Sequence, residues 1–160
     1  MHRILALVIV ALLSAFCSNA PEAPSQECCE QAFSQIPDHK HFSKVDKNAF
    51  SAEFRELLEK AYAAADKEEQ ENPGEIGDYE FLSYWYDGNG DSLLESEGSS
   101  IVFEPGEVKD GRVRVDICIN TEHKFAMLLL YEDKAWRIDD WIDPAFGKSM
   151  KTMTKDYLAR

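Results

Sequence analysis

Asp87-Gly88-Asn89-Gly90-Asp91 places three oxygen-bearing side chains, Asp87, Asn89 and Asp91, at alternate positions. A calcium loop begins with that spacing, then needs glycine at its sixth position and a bidentate glutamate at its twelfth. Ser92 and Gly98 stand in those places, and Glu97 comes one residue early. The stretch therefore reads as a turn, where Gly88, Asn89 and Gly90 tolerate positive φ. Cys28, Cys29, His39 and His41 offer two thiols and two imidazoles, a donor set that zinc accepts, but adjacent cysteines strain ligation of one ion. Cys118 with His39, His41 or His123 would make a nucleophile and its base. The thiol falls in mid-strand, however, away from a helix N-terminus that would lower its pKa. Asp116 and Asp140 interrupt strands, and a carboxylate desolvated inside a sheet is a general acid–base candidate. Strand alternation puts Asp140 on one face with Trp136 and Ile138, leaves Asp139 on the surface, and offers Arg137 or Arg112 as an ion-pair partner for Asp140. No G-x-S-x-G elbow or glycine-rich phosphate loop occurs, and the sequence calls for no cofactor and no metal.

The elements that would carry these residues are legible in their periods. Phe50, Phe54, Leu57, Leu58, Ala61, Tyr62 and Ala65 trace one helical face, with Ser51 as cap and an end near Glu69. Ile101 to Glu104 is a short extended segment. Arg112 to Asn120 alternates strictly, with Val113, Val115, Ile117 and Ile119 facing one way. Lys124 to Glu132 is more uniformly apolar, as a strand covered on both faces would be. Glu132-Asp133-Lys134 makes a tight reversal, and Trp136 to Ile142 closes the sheet. Asp143-Pro144 opens a last helix, whose Lys148, Lys151 and Lys155 make a solvated basic stripe. The expected fold class is α+β: a curved antiparallel meander packed against N- and C-terminal helices.

The chain opens with His2 and Arg3, then an uncharged apolar run from Ile4 to Leu13, too short for a membrane span. It reads as a secretory signal over residues 1–20, cleaved after Ala20 or after Cys17. A lipid anchor at Cys17 is the lesser alternative, because Phe16 stands where a small residue belongs. Residues 21–49 read as a loose or weakly helical lead-in, with a short helix over Glu27 to Ile36, and 50–160 as one α+β domain. The chain carries 17 basic and 30 acidic residues, a net charge of −13. Loss of the first twenty removes a single arginine and leaves −14. Such a surface repels phosphate backbones, which argues against nucleic acid, and suits a basic protein partner. Cys28, Cys29 and Cys118 then remain, so a disulfide from Cys118 to Cys28 or Cys29 is one arrangement and no bridge is the other.

The leader, the helix FSAEFRELLEKAY, the aspartate-bearing connector and the closing GRVRVDICIN and MLLLYEDKAWRIDDW together resemble domain-of-unknown-function family 3828. These are small exported bacterial envelope proteins, some of them lipoproteins. The resemblance runs from about Phe50 to the C-terminus, and its most specific piece is Lys134 to Asp140. It implies a cone-shaped, cystatin-like or nuclear-transport-factor-two-like fold and carries no catalytic residue.

The expectation is a periplasmic or secreted, non-enzymatic protein-binding module, with inhibitor-like and immunity-like proteins among its forms. Phe81, Tyr84, Trp85 and Tyr86 are its candidate binding aromatics. The rival is a small-ligand or general acid–base site inside the cone, built on Asp116 or Asp140. A purely structural envelope protein is the third reading.

Overall fold

The computed structural model describes residues 21–36, 42–74, 77–83, 100–120, 123–142 and 147–160. Four antiparallel strands, β1 (Ile101–Pro105), β2 (Arg112–Ile119), β3 (His123–Glu132) and β4 (Ala135–Ile142), form an open, curved meander in the order β1-β2-β3-β4. Among the described residues three α-helices flank it: α1 (Gln26–Phe33), α2 (Ala52–Glu71) and α3 (Met150–Leu158). The fold is α+β, as the periods predict. Among the described residues no helix is long and apolar enough to cross a membrane.

The sheet's two-residue turn between β3 and β4 uses Asp133 (φ 51°) and Lys134 (φ 64°), both left-handed. That backbone matches the right-handed twist of the strands it joins. Along β2 the alternation is realised: Val113, Val115, Ile117 and Ile119 point inward, and Arg112, Arg114, Asp116 and Cys118 outward. The expectation that β3 is covered on both faces needs correction. Phe125, Met127 and Leu129 are buried inward, whereas Leu128 and Leu130 are only half-buried on the outer face.

The inner face meets α2 through Phe54, Leu58, Ala61, Tyr62 and Ala65, the positions its period picked out. Each large apolar side chain so buried stabilises the fold by roughly 1.5–3 kcal/mol. Ser51 caps α2, accepting from the Phe54 amide, while its own amide bonds the Ile138 carbonyl at 2.8 Å. The helix is thereby fixed to the β4 edge.

The N-terminal segment belongs to this core rather than leading into it. Ser25 caps α1, Cys29, Ala32 and Ile36 join the core, and Phe33 packs on Phe103 and Trp141. Gln26 donates to the Phe103 carbonyl at 2.8 Å, supplying a partner on the outer edge of β1. The domain's packing therefore begins well before Phe50. The last helix starts later than Asp143-Pro144 suggests, with Ser149 as its cap; Asp143 and Pro144 lie outside the described residues.

Candidate functional site

One irregularity in β4 decides where the carboxylates go. Leu128 pairs with Asp140 but Leu129 pairs with Ile138, so Asp139 is an extra residue with no partner across the ladder. Such a bulge reverses the in–out phase beyond it. Ile138 and Trp141 consequently both face the core, at 0% and 1% exposure. Strict alternation would have put them on opposite faces.

Asp139, expected at the surface, is instead buried at 4% exposure. Its Oδ1 accepts from Ser51 Oγ at 2.6 Å and from Lys151 Nζ at 2.9 Å, and its Oδ2 from Arg112 Nη1 at 2.5 Å. Burial alone would raise its pKa. The bonds from Ser51, Lys151 and Arg112 outweigh that and hold the carboxyl below its ordinary range. Lys151 also reaches Glu53 at 3.2 Å, as does Lys155, and these two lysines lower the Glu53 pKa. The expected basic stripe is thus paired rather than free: Lys148, which precedes α3, meets Asp156, and Lys151 is largely buried.

Asp140 does not share a face with Ile138, nor does it pair with Arg137 or Arg112. Its Oδ1 accepts from the backbone amides of Trp141 and Lys151, both at 2.8 Å. Lys151 lies in the first turn of α3, so Asp140 supplements the Ser149 cap. This is the work of a structural carboxylate. Asp116 is exposed on the outer face and pairs with Arg114 Nε at 2.7 Å. As a surface ion pair it contributes at most about 1 kcal/mol.

Ser51, Asp139 and Lys151 form the most polar buried cluster, yet its geometry argues against nucleophilic chemistry. The Ser51 hydroxyl gives its proton to Asp139 and accepts from the Phe54 amide, so it is committed to the helix cap. The thiols are no better placed. Burial pushes the Cys28 pKa up, and burial with the neighbouring Cys28 and Glu30 pushes Cys29 to about 11. The bridge from Cys118 to Cys28 or Cys29 is absent; all three are free thiols. The reason is topological: Cys118 points to the outer face, whereas α1 packs on the inner one.

Phe81 packs edge-on against Tyr157 with centroids 6.0 Å apart, so part of its ring serves the core. Tyr84, Trp85, Tyr86, Asp87, Asn89 and Asp91, like His39 and His41, lie outside the described residues. Among the described residues no group of three or more His, Cys, Asp or Glu side chains is arranged to hold a metal.

The concave face of the sheet is filled by side chains, with Val115, Ile119, Met127, Phe54 and Leu58 all at 0% exposure. Open cavities lie at the surface instead. One of about 600 Å³ runs between α1 and the β3–β4 turn, and two of about 490 and 320 Å³ lie along the sheet beside Arg112 and Asp116. No family model, curated protein or solved structure matches this chain.

The outer sheet face has the composition of a contact surface. Cross-strand pairing sets Leu128 beside Arg114 and Asp140, Leu130 beside Arg112, and Ala126 beside Asp116 and Ile142. Leu128, Leu130 and Ile142 are half-buried, and Val102 on β1 is 48% exposed. Glu104, Arg112, Arg114 and Asp116 on β1 and β2 flank Leu128, Leu130 and Ile142 on one side with both signs of charge and separate them from Val102.

Proposed function

We propose that the chain is an exported, non-enzymatic binding module of a bacterial envelope, acting in the periplasm or outside the cell. Its partner is a protein of net positive charge, and an exported hydrolase held in check by this module is one form of the pairing. The observation that carries this reading is the outer face, where Leu128, Leu130 and Ile142 lie together on β3 and β4 beside the charged row Arg112, Arg114 and Asp116 of β2. An apolar centre with a polar rim is how protein interfaces are built. The net charge of −13 would speed encounter with a basic partner, while the aliphatic strip would supply the contact. The resemblance to family 3828 agrees with the compartment. A ligand site inside the cone is the weaker reading, because Phe54, Leu58 and Met127 occupy that space.

The test is a crosslinking pull-down from the native envelope at low and high salt, repeated with Leu128→Lys. The reading expects one stoichiometric partner, reduced at high salt and lost in Leu128→Lys while the melting curve is unchanged. Absence of a partner at either salt, or capture unaffected by Leu128→Lys, would overturn it.

A further inference from the structure

The groove between α1 and the β3–β4 turn has a chemistry unlike the rest of the surface. Its volume, about 600 Å³, lies within the roughly 300–1,000 Å³ usual for small-molecule sites. Trp136 and Tyr131 line it, meeting edge to face with centroids 5.3 Å apart. The indole N–H of Trp136 bonds the Glu22 carbonyl at 3.2 Å, which fixes the ring's orientation. Tyr131 is 39% exposed, and large apolar residues this open are few among those described. An ordered aromatic pair at a groove wall is a ready platform for a flat apolar group.

Charge sets the groove apart more sharply. Most described lysines and arginines hold a carboxylate within 4.0 Å, as expected on so acidic a chain. Lys134 and Arg137, both lining the groove, hold none, as is also true of Lys44 and Arg55 elsewhere; Arg137 donates to the Asn48 carbonyl. The one carboxylate in the lining, Asp46, has its Oδ1 turned to the Asn48 amide at 2.9 Å. Two cations outside any ion pair therefore share a groove with two aromatic rings and one carboxylate, on a chain of net charge −13.

We propose that this groove binds a small aromatic carboxylate, its ring against Trp136 and Tyr131 and its anionic group on Lys134 and Arg137. The site adjoins the outer sheet face at Arg137, which pairs across the ladder with Leu130, but does not include Leu128. Charge-assisted hydrogen bonds supply the discrimination, and the aromatic pair supplies most of the contact area.

The probe is 2-naphthoate, with uncharged 2-naphthalenemethanol as its control, titrated into the isotope-labelled full chain. The indole N–H signal of Trp136, assigned with Trp136→Phe, reports the groove, and that of buried Trp141 reports folding. Lys134→Asn is the discriminating variant, because asparagine tolerates the left-handed backbone at φ 64°. Saturable shifts of the Trp136 signal with 2-naphthoate are expected, weakened about threefold to tenfold by Lys134→Asn. The uncharged control should bind more weakly by a similar factor. Equal affinity for both probes, indifference to Lys134→Asn, or no shift at about 10 mM probe would overturn the proposal. Leu128→Lys should leave 2-naphthoate binding intact, and Lys134→Asn should leave partner capture intact, so failure of one reading is distinguishable from failure of the other.

Discussion

Replacing Asp139 tests whether the bulge carboxylate is the main polar tie between the sheet and both helices that it touches. In Asp139→Ala, Ser51 loses its acceptor and Lys151 keeps only the exposed Glu53. Removing one partner of a buried ion pair costs about 3–5 kcal/mol. Two features reduce that figure here: Arg112 is 56% exposed, and Lys151 retains a second carboxylate. A loss of about 2–4 kcal/mol is therefore expected, or roughly 6–15 °C in Tm for a domain near this size. Asp139→Asn keeps the shape and one acceptor oxygen, so it should lose less than the alanine variant. The pH dependence has a definite sign. A carboxyl depressed in the folded state contributes stability above its unfolded pKa, near 3.8, and loses it as pH falls through the lower folded value. The gap between wild type and Asp139→Asn should then be flat from neutral pH down to about 5 and shrink below about 4. Urea melts across that range, with Lys151→Met to complete a double-mutant cycle, measure both quantities. A loss under about 1 kcal/mol at neutral pH, or a gap that widens on acidification, would refute the reasoning.

Other expectations are narrower. Asp140→Ala removes an acceptor from two amides and should cost about 1 kcal/mol by urea denaturation without disturbing the outer face. Exchanging Asp133-Lys134 for Asn-Gly relieves two left-handed residues and should stabilise the hairpin by roughly 1 kcal/mol, read as a higher Tm. Cys29, fully buried with its pKa near 11, should resist iodoacetamide at pH 8 in the folded chain and react once urea is added, scored by peptide mass. The purified chain should run identically on reducing and non-reducing gels, because Cys118 lies across the sheet from Cys28 and Cys29.

Periodicity carried most of the architecture. The helix from Ser51 and the strict alternation of Arg112 to Ile119 are one-dimensional signals, and both survive folding because a single buried face dictates each. The bulge at Leu128/Leu129 is a relation between two strands, so β4 alone does not locate it. One extra residue there exchanged the environments of Asp139 and its neighbours, and with them the roles assigned to Asp139 and Asp140. A weak signal did exist: Trp141, read by alternation as opposite to Ile138, is an awkward residue to leave outside. The packing of Cys29, Ala32 and Phe42 escaped notice for a different reason. Their segment is short and polar, and its burial depends on the aromatic partners Trp141 and Tyr62 far along the chain. The functional candidates between Tyr84 and Asp91 fall outside the described residues.

The bulge also sets an order on assembly. From its tight turn the β3–β4 hairpin can zip in ordinary register as far as Leu129 and Ile138. Beyond that point, one register places the Trp141 indole inside, and the alternative places the Asp140 carboxylate there. The productive choice turns Asp139, already within reach of Arg112 on β2, to the position that docking of Ser51 and Lys151 buries, so that burial and pairing arrive together. The distal half of the hairpin therefore completes together with docking of α2 and α3, and amide exchange at Asp140, Trp141 and Ile142 should track release of those helices, not opening of the turn.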